Sequence, residues 1–345
     1  MDRPEKPSIR LIAEKTGLSK ATVANALNGT PTVARSTAER VLAVAEAIGY
    51  RRNPMVGALM SAVRRSDGAR LQGVLAAVEI EEPARPAHGP FHRLLLEGCK
   101  ECAEELGFGL EFFRLQADGV SPERLSRILR ARGIRGLVIL PSWEVPDFTR
   151  FDWSWLTGVY ADYLAEGARL NFVCCDHYRT VLEALWKLHG LGYRRPAMIF
   201  EKGREERILM RTSAALRVFN ASMVGVDPIE PLFLEKIGAG AVLAWLAEKK
   251  PDIVLTHGHD VLDWMREAGM RVPQEVGFVS LNRAKTGEHC AGLDLRPRDI
   301  GRCAIEMLVA QVQRAAWGRR WIPTSTTVAG QLVEGPTIRA RSWAG

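Results

Sequence analysis

Near the start of the chain, apolar residues recur three and four positions apart in three short bursts, the spacing of one helical face. Ile9, Ile12 and Ala13 share a side between Ser8, a capping residue, and Gly17, which can adopt the left-handed backbone that stops a helix. This predicts a first helix over Ser8–Lys15. Leu18 packs the turn, Ser19 caps, and Val23, Ala26 and Leu27 give the inner face of a second helix, Lys20–Leu27. A third, Arg35–Ile48, gathers Val41, Val44, Ala45 and Ile48 on one side and ends at Gly49. Two short helices joined by a glycine-containing turn and followed by a third make a helix-turn-helix unit. A small three-helix bundle with no role on DNA has the same spacing.

Asn53-Pro54 then signals another helix start, a cap followed by proline at the first helical position. The segment it opens, Met55–Val63, is too short to be stable alone in water. From Leu71 the pattern changes to short apolar runs alternating with amphipathic stretches. Strands are predicted at 74–78, 110–113, 136–140, 172–175, 197–200, 253–256 and 277–281. Helices are predicted at 91–106, 122–132, 180–189, 206–220, 241–249 and 261–268. Such alternation of buried-type strands with helices points to parallel sheets, and its length to two lobes. The expected fold is an all-α helix-turn-helix headpiece plus an α/β core. In a core of this kind, ligands bind at the carboxyl ends of the strands.

Charge sharpens the picture. The chain of 345 residues has a formal net charge of +7. Residues 1–65 hold eleven Lys/Arg against five acidic residues, so nearly all the excess sits in the first fifth of the sequence. A basic footprint on a small unit suggests a polyanionic partner, although basic faces are also common as solvated surface. On the outer face of the second helix, Lys20 and Ala21 stand at its N-terminal end and Asn25 one turn on. Asparagine can bond adenine at two points, and a small alanine can touch a thymine methyl.

The stretches SIRLIAEKTGLSKATVANALNG (Ser8–Gly29), ERVLAVAEAIGY (Glu39–Tyr50) and RRNPM (Arg51–Met55) resemble the headpiece of the lactose-repressor (LacI/GalR) family of bacterial regulators. The resemblance implies that Lys20, Ala21 and Asn25 read bases and that Ser8, Thr22 and Asn28 touch phosphate. Ser19, Arg52 and Asn53 are the further DNA contacts expected. Leu59, nine places after Tyr50, falls on the family's minor-groove wedge; packing against the core or a partner hinge is the alternative role. The chain departs from the family at Ala24-Asn25, where Ser-Arg is usual, so its operator should differ from the commonest half-site. It also carries Ala34 in place of a helix-capping serine.

Further on, HGLGYRRPAMIF (His189–Phe200), PDIVLT (Pro251–Thr256) and EAGMRVPQEVGFV (Glu267–Val279) resemble the sensor core of the same family, and the likeness extends to about Arg339. It implies a two-lobed periplasmic-binding-protein-like domain with three chain crossings, near Cys175, Asp294 and Ser325, and a homodimer on a pseudo-palindromic double-stranded DNA operator. The expected organisation is a headpiece over 1–50, a hinge and linker over 51–68, and a core over 69–345. Within the core, one lobe comprises 69–172 and 295–322 and the other 173–294 and 323–340. Effector positions carried over are Arg211, His259, Asp260, Asn282 and Phe91, and Trp143 offers a face for a ring. Asp260 could equally cap the helix after it, and Trp143 could be loop surface. The resemblance favours a sugar as the class of effector, and because His259 and Asn282 depart from the usual residues its identity stays open.

Other classes fit less well. His257-Gly-His259-Asp260 has no second histidine-rich segment to complete a metal site. Gly238-Ala-Gly240 lacks the third glycine of a dinucleotide loop, and neither GxSxG nor a phosphate loop occurs. No catalytic residues, metal or cofactor are therefore expected. Cys99-x-x-Cys102 lies within a predicted helix and reads as packing thiols. The alternative function is a non-catalytic sugar-binding protein of the same core fold; the charged, proline-bearing N-terminus without a signal stretch argues against export and for a cytoplasmic protein. No apolar run is long enough to cross a membrane.

Overall fold

A computed structural model of the chain describes residues 9–27, 33–48, 72–82, 89–116, 120–163, 170–258, 260–315 and 322–340. The chain divides into two compact units that part between Leu71 and Gln72. In the first unit the three helices form at α1 Ile9–Thr16, α2 Lys20–Leu27 and α3 Arg35–Ala47. Gly17 has φ +68°, the left-handed turn that lets α2 fold back on α1. Ile12, Ala13, Val23, Ala26, Val41 and Ala45 are buried at the centre, with Leu18, Leu27 and Ile48 against them. At the start of α3, Ala34 makes no side-chain cap bond, as its substitution for serine implies.

The second unit is a pair of six-stranded sheets. Strands β1 Gly73–Ile80, β2 Phe108–Leu115, β3 Gly136–Ile139, β4 Thr157–Tyr160, β5 Asn171–Cys175 and β11 Ser325–Val328 form one, in the order β11-β5-β4-β3-β1-β2, and all pairs are parallel. The other runs β12-β10-β9-β8-β6-β7, from β6 Pro196–Glu201, β7 Leu232–Leu234, β8 Ile253–Thr256, β9 Gly277–Ser280, β10 Ala291–Asp294 and β12 Gln331–Val333. Only β12 is antiparallel to its neighbour. Strands β3, β4, β8 and β9 are buried throughout, which is why they read as continuous apolar runs.

The helices are α4 Pro90–Glu105, α5 Pro122–Ala131, α6 His177–Gly190, α7 Lys202–Arg207, α8 Arg211–Ser222, α9 Ala239–Lys249, α10 Asp260–Glu267, α11 Arg283–Thr286 and α12 Pro297–Gln313. The predicted single helix 206–220 is in fact two. Leu209 and Met210 have positive φ (59° and 56°), so the chain turns sharply between α7 and α8. The buried Glu205 carboxylate accepts from the backbone N–H of Ser213 at 2.6 Å and so satisfies a buried donor in the first turn of α8.

The chain crosses between lobes three times, after β5, after β10 and between β11 and β12. The third crossing lies at Ala329–Gly330 rather than at Ser325, because β11 pairs with β5 in the first sheet. The crossings are laced together. Asp176 N–H donates to Val328 C=O at 2.9 Å, and Gly330 N–H donates to Thr180 Oγ1 at 2.9 Å. A Cβ at Gly330 would stand 2.6 Å from the Asp294 carbonyl oxygen, so glycine is needed where the strands meet. On the first lobe, α12 crosses α4 at an equally close approach through Gly98 and Gly301. All six cysteines are free thiols and five are buried, and burial pushes the Cys102 thiol up to about 11, as suits packing groups. Among the described residues no helix is long and apolar enough to cross a membrane.

Candidate functional site

Two surfaces carry the chemistry. On the headpiece, Ser19 Oγ accepts from the backbone N–H of Thr22 at 3.1 Å and contacts the Thr22 hydroxyl at 2.8 Å, capping α2. With Val23 and Ala26 turned into the core, Lys20 and Asn25 are left exposed and Thr22 half-buried. Ala21 lies in the first turn of α2. Ser8, Asn28, Arg52, Asn53 and Leu59 lie outside the described residues.

In the core, a cavity of about 530 Å³ opens between the lobes at the carboxyl ends of both sheets. The first lobe contributes Phe91 and His92 from the start of α4, Pro141–Trp143 after β3 and Asp162 after β4, and His177 stands at the start of α6, just past the first crossing. The second contributes Glu201, Arg204 and Arg207 around α7, Lys236 after β7, His257 and Asp260 after β8, and Asn282 and Lys285 after β9. Trp143 is held by Glu82, whose carboxylate accepts the N–H groups of Trp143 and Glu144 at 2.7 and 2.9 Å.

Three contacts tie the lobes beside this cavity. The Arg204 guanidinium lies 4.5 Å from the Trp143 ring centroid, Arg207 pairs with Asp162, and Arg211 lies 4.6 Å from the Tyr163 ring centroid. Burial holds the His177 imidazole down at about 4; Arg211 adds to the effect and Asp176 opposes it. His257 is pushed well below its ordinary value by burial and then by Lys285, His177, Arg204 and Arg207. Both rings are therefore neutral near pH 7 and able to donate one hydrogen bond and accept another. Among the described residues, no group of three or more His, Cys, Asp or Glu could hold a metal ion.

Residues 8–53 match the family described as bacterial regulatory proteins, lacI family, and residues 186–331 match a periplasmic binding protein-like domain. The HTH-type transcriptional regulator PtxS of Pseudomonas plecoglossicida is 27% identical over 293 residues, 80% of this chain and 79% of that protein. KdgR, an HTH-type transcriptional regulator of Bacillus subtilis, is 22% identical over 324 residues, 89% of this chain and 91% of that protein. The chain carries a lacI-family headpiece and a periplasmic binding protein-like core. Among solved structures, a transcriptional regulator CelR–cellobiose complex shares the fold at TM-score 0.59 and 20% identity, covering 96% of this chain and 99% of that one. The lac repressor dimer bound to operator and the anti-inducer ONPF does so at TM-score 0.55 and 16% identity, covering 97% and 100%.

With that headpiece and relatives of this kind, the chain is a DNA-binding transcriptional regulator, and members of the matched family are regulators rather than enzymes. The structure brings Phe91, Trp143, Asp260 and Asn282 together on the cavity wall. Asn282 also caps α11, its Oδ1 accepting from Ala284 N–H at 3.2 Å. His259 lies outside the described residues. Arg211 is not among the wall residues: its guanidinium lies over the Tyr163 ring, and among the described residues its buried Nε has no hydrogen-bond partner. The arginines that do face the cavity are Arg204 and Arg207, from the short helix α7 that the continuous-helix reading had merged into its neighbour. Sequence reasoning also missed Asp162, His177, His257 and Lys285. Each follows a strand end, and that placement was the only signal available for them.

Proposed function

We propose that this regulator is a ligand-responsive repressor that acts as a homodimer. Each protomer lays α2 into the major groove of one half of a pseudo-palindromic operator. The observation that carries the reading is the division of α2: Val23 and Ala26 are consumed by the headpiece core while Lys20 and Asn25 stand free on the opposite face. Asn25 then reads an adenine, Lys20 and Ala21 contact neighbouring bases, and Ser8, Ser19, Thr22, Asn28, Arg52 and Asn53 hold the backbone. Leu59 wedges into the central minor-groove step, by the family resemblance of its position.

The cavity between the lobes takes a small polar effector, with a sugar-like skeleton favoured. Its volume suits such a ligand, and Phe91 and Trp143 offer flat faces beside convergent polar groups. A cellobiose complex and an operator-bound dimer among proteins of the same fold support this reading. The ligand controls DNA affinity only so far as it binds the two lobe arrangements unequally. Capture of fragmented genomic DNA on the purified chain, followed by sequencing, tests the proposal. Recovery of a few discrete upstream segments, each bound by two protomers, is expected. Recovery of fragments in proportion to their abundance would overturn it.

A further inference from the structure

The cavity wall carries four basic side chains against three carboxylates. Arg204, Arg207, Lys236 and Lys285 face Asp162, Glu201 and Asp260, and His92, His177 and His257 complete the set. Two of the three carboxylates are already engaged, because Asp162 pairs with Arg207 and Glu201 with Arg204. Among the described residues, Lys285 and Lys236 have no carboxylate in ion-pair contact. The same lining holds Lys285, Arg204, Arg207, His177 and His257, and the first four all act electrostatically on the His257 ring.

We infer that the effector carries an anionic group, a carboxylate or a phosphate, which seats against Lys285 and Arg204 while the polyol end faces Trp143 and Phe91. The inference rests on the reading of this cavity as the effector site. With a neutral ligand, Lys285 and Lys236 would stand beside the two paired arginines with no counter-charge of their own. An anion there satisfies the ammonium of Lys285 and the outer N–H groups of Arg204 with charge-assisted hydrogen bonds. The neutral His257 ring can add a further donor. The pKa of Lys285 is lowered by desolvation and then by Arg204, with the Glu201 carboxylate opposing, and an anion seated beside it would raise it again.

The test uses the full chain and matched probes: glucose with glucuronate, galactose with galacturonate, and glucose 6-phosphate. Binding is read by calorimetric titration and by thermal shift, and operator affinity is measured on the same preparations. At least one anionic probe is expected to bind about tenfold or more tighter than its neutral partner. Which arm responds separates carboxylate from phosphate. Lys285→Gln should abolish most of that preference and Lys285→Arg should keep it, with the unliganded melting curve reporting whether each variant folds. Equal or tighter binding of the neutral members, or no response to any anionic probe, overturns the inference. Selective operator binding alongside that result would leave the regulator reading standing; loss of operator selectivity would remove the reading itself.

Discussion

The guanidinium of Arg204 rests 4.5 Å from the centroid of the Trp143 indole, one side chain from each lobe meeting over the cavity mouth. Glu82 fixes Trp143 through its backbone and Glu201 pairs with Arg204, so both partners are held in place before they meet. An effector ring that stacks on Trp143 must share or displace this cation. A double-mutant cycle of Trp143→Ala and Arg204→Ala in urea unfolding should give a coupling of about 0.5–1 kcal/mol, the worth of a partly exposed cation–π pair. Additive effects would show that the two side chains do not stabilise the lobes jointly.

The close approach of Gly98 to Gly301 makes a second prediction. A Cβ at Gly98 would lie 2.2 Å from the Arg298 carbonyl oxygen, and one at Gly301 2.2 Å from that of Leu95. Both obstacles are backbone, so neither can swing aside. Arg298–Glu101 at 2.7 Å and Arg302–Glu105 at 2.7 Å flank the crossing but are exposed and contribute little. Gly98→Ala and Gly301→Ala should each cost about 1–3 kcal/mol or more in chemical denaturation, whereas Arg302→Ala should cost under about 1 kcal/mol. Alanine tolerated at both glycines would mean that α4 and α12 do not cross as closely as described.

Acid should weaken the core. The imidazoles of His177 and His257 have folded pKa values depressed below the ordinary 6.5, His177 to about 4. Below pH 6.5 the unfolded chain therefore binds more protons than the folded one. Stability from these groups is complete above that pH and is lost as pH falls towards 4. For His177 the loss is at most about 3 kcal/mol. Urea midpoints measured from pH 7 to 4.5 should decline, and His177→Asn should flatten the decline. A midpoint as steep in the variant as in the parent would assign the acid sensitivity elsewhere.

On the headpiece, Asn25→Ala should cost about 1–3 kcal/mol at one operator position and relax base preference there without changing the others. Lys20→Ala is expected to weaken binding and to lower its salt dependence. Competition with singly substituted duplexes would measure both. Unchanged discrimination in the Asn25 variant would remove its base-reading role.

The headpiece was almost wholly legible in the sequence, because its three helices are set by local spacing, a serine cap and Gly17. In the core, the seven expected strands all fall on observed strands, since most are buried apolar runs; the half-buried Leu110–Phe113 is the exception. Five strands escaped, all short or mixed: Thr157–Tyr160 follows a tryptophan-rich loop, Leu232–Leu234 is half-buried and three residues long, and Ala291–Asp294, Ser325–Val328 and Gln331–Val333 have three or four residues each. The helix Pro297–Gln313 was not foreseen as an element either. The break at Leu209–Met210 carries neither glycine nor proline and left no local mark. Its consequence was large, for it hid the helix bearing Arg204 and Arg207 and moved attention to Arg211. The cavity wall was the least legible part. Its residues come from at least eight strand ends far apart in the chain, and only the tertiary fold brings His177, His257 and Lys285 within reach of one another.

Selection of bound duplexes from a random pool with the purified chain tests the central claim most directly. The account predicts enrichment of an inverted repeat whose two halves are read by the α2 helices of two protomers, with a position in each half that depends on Asn25. A pool that emerges unenriched at moderate salt, with and without small molecules, would contradict it.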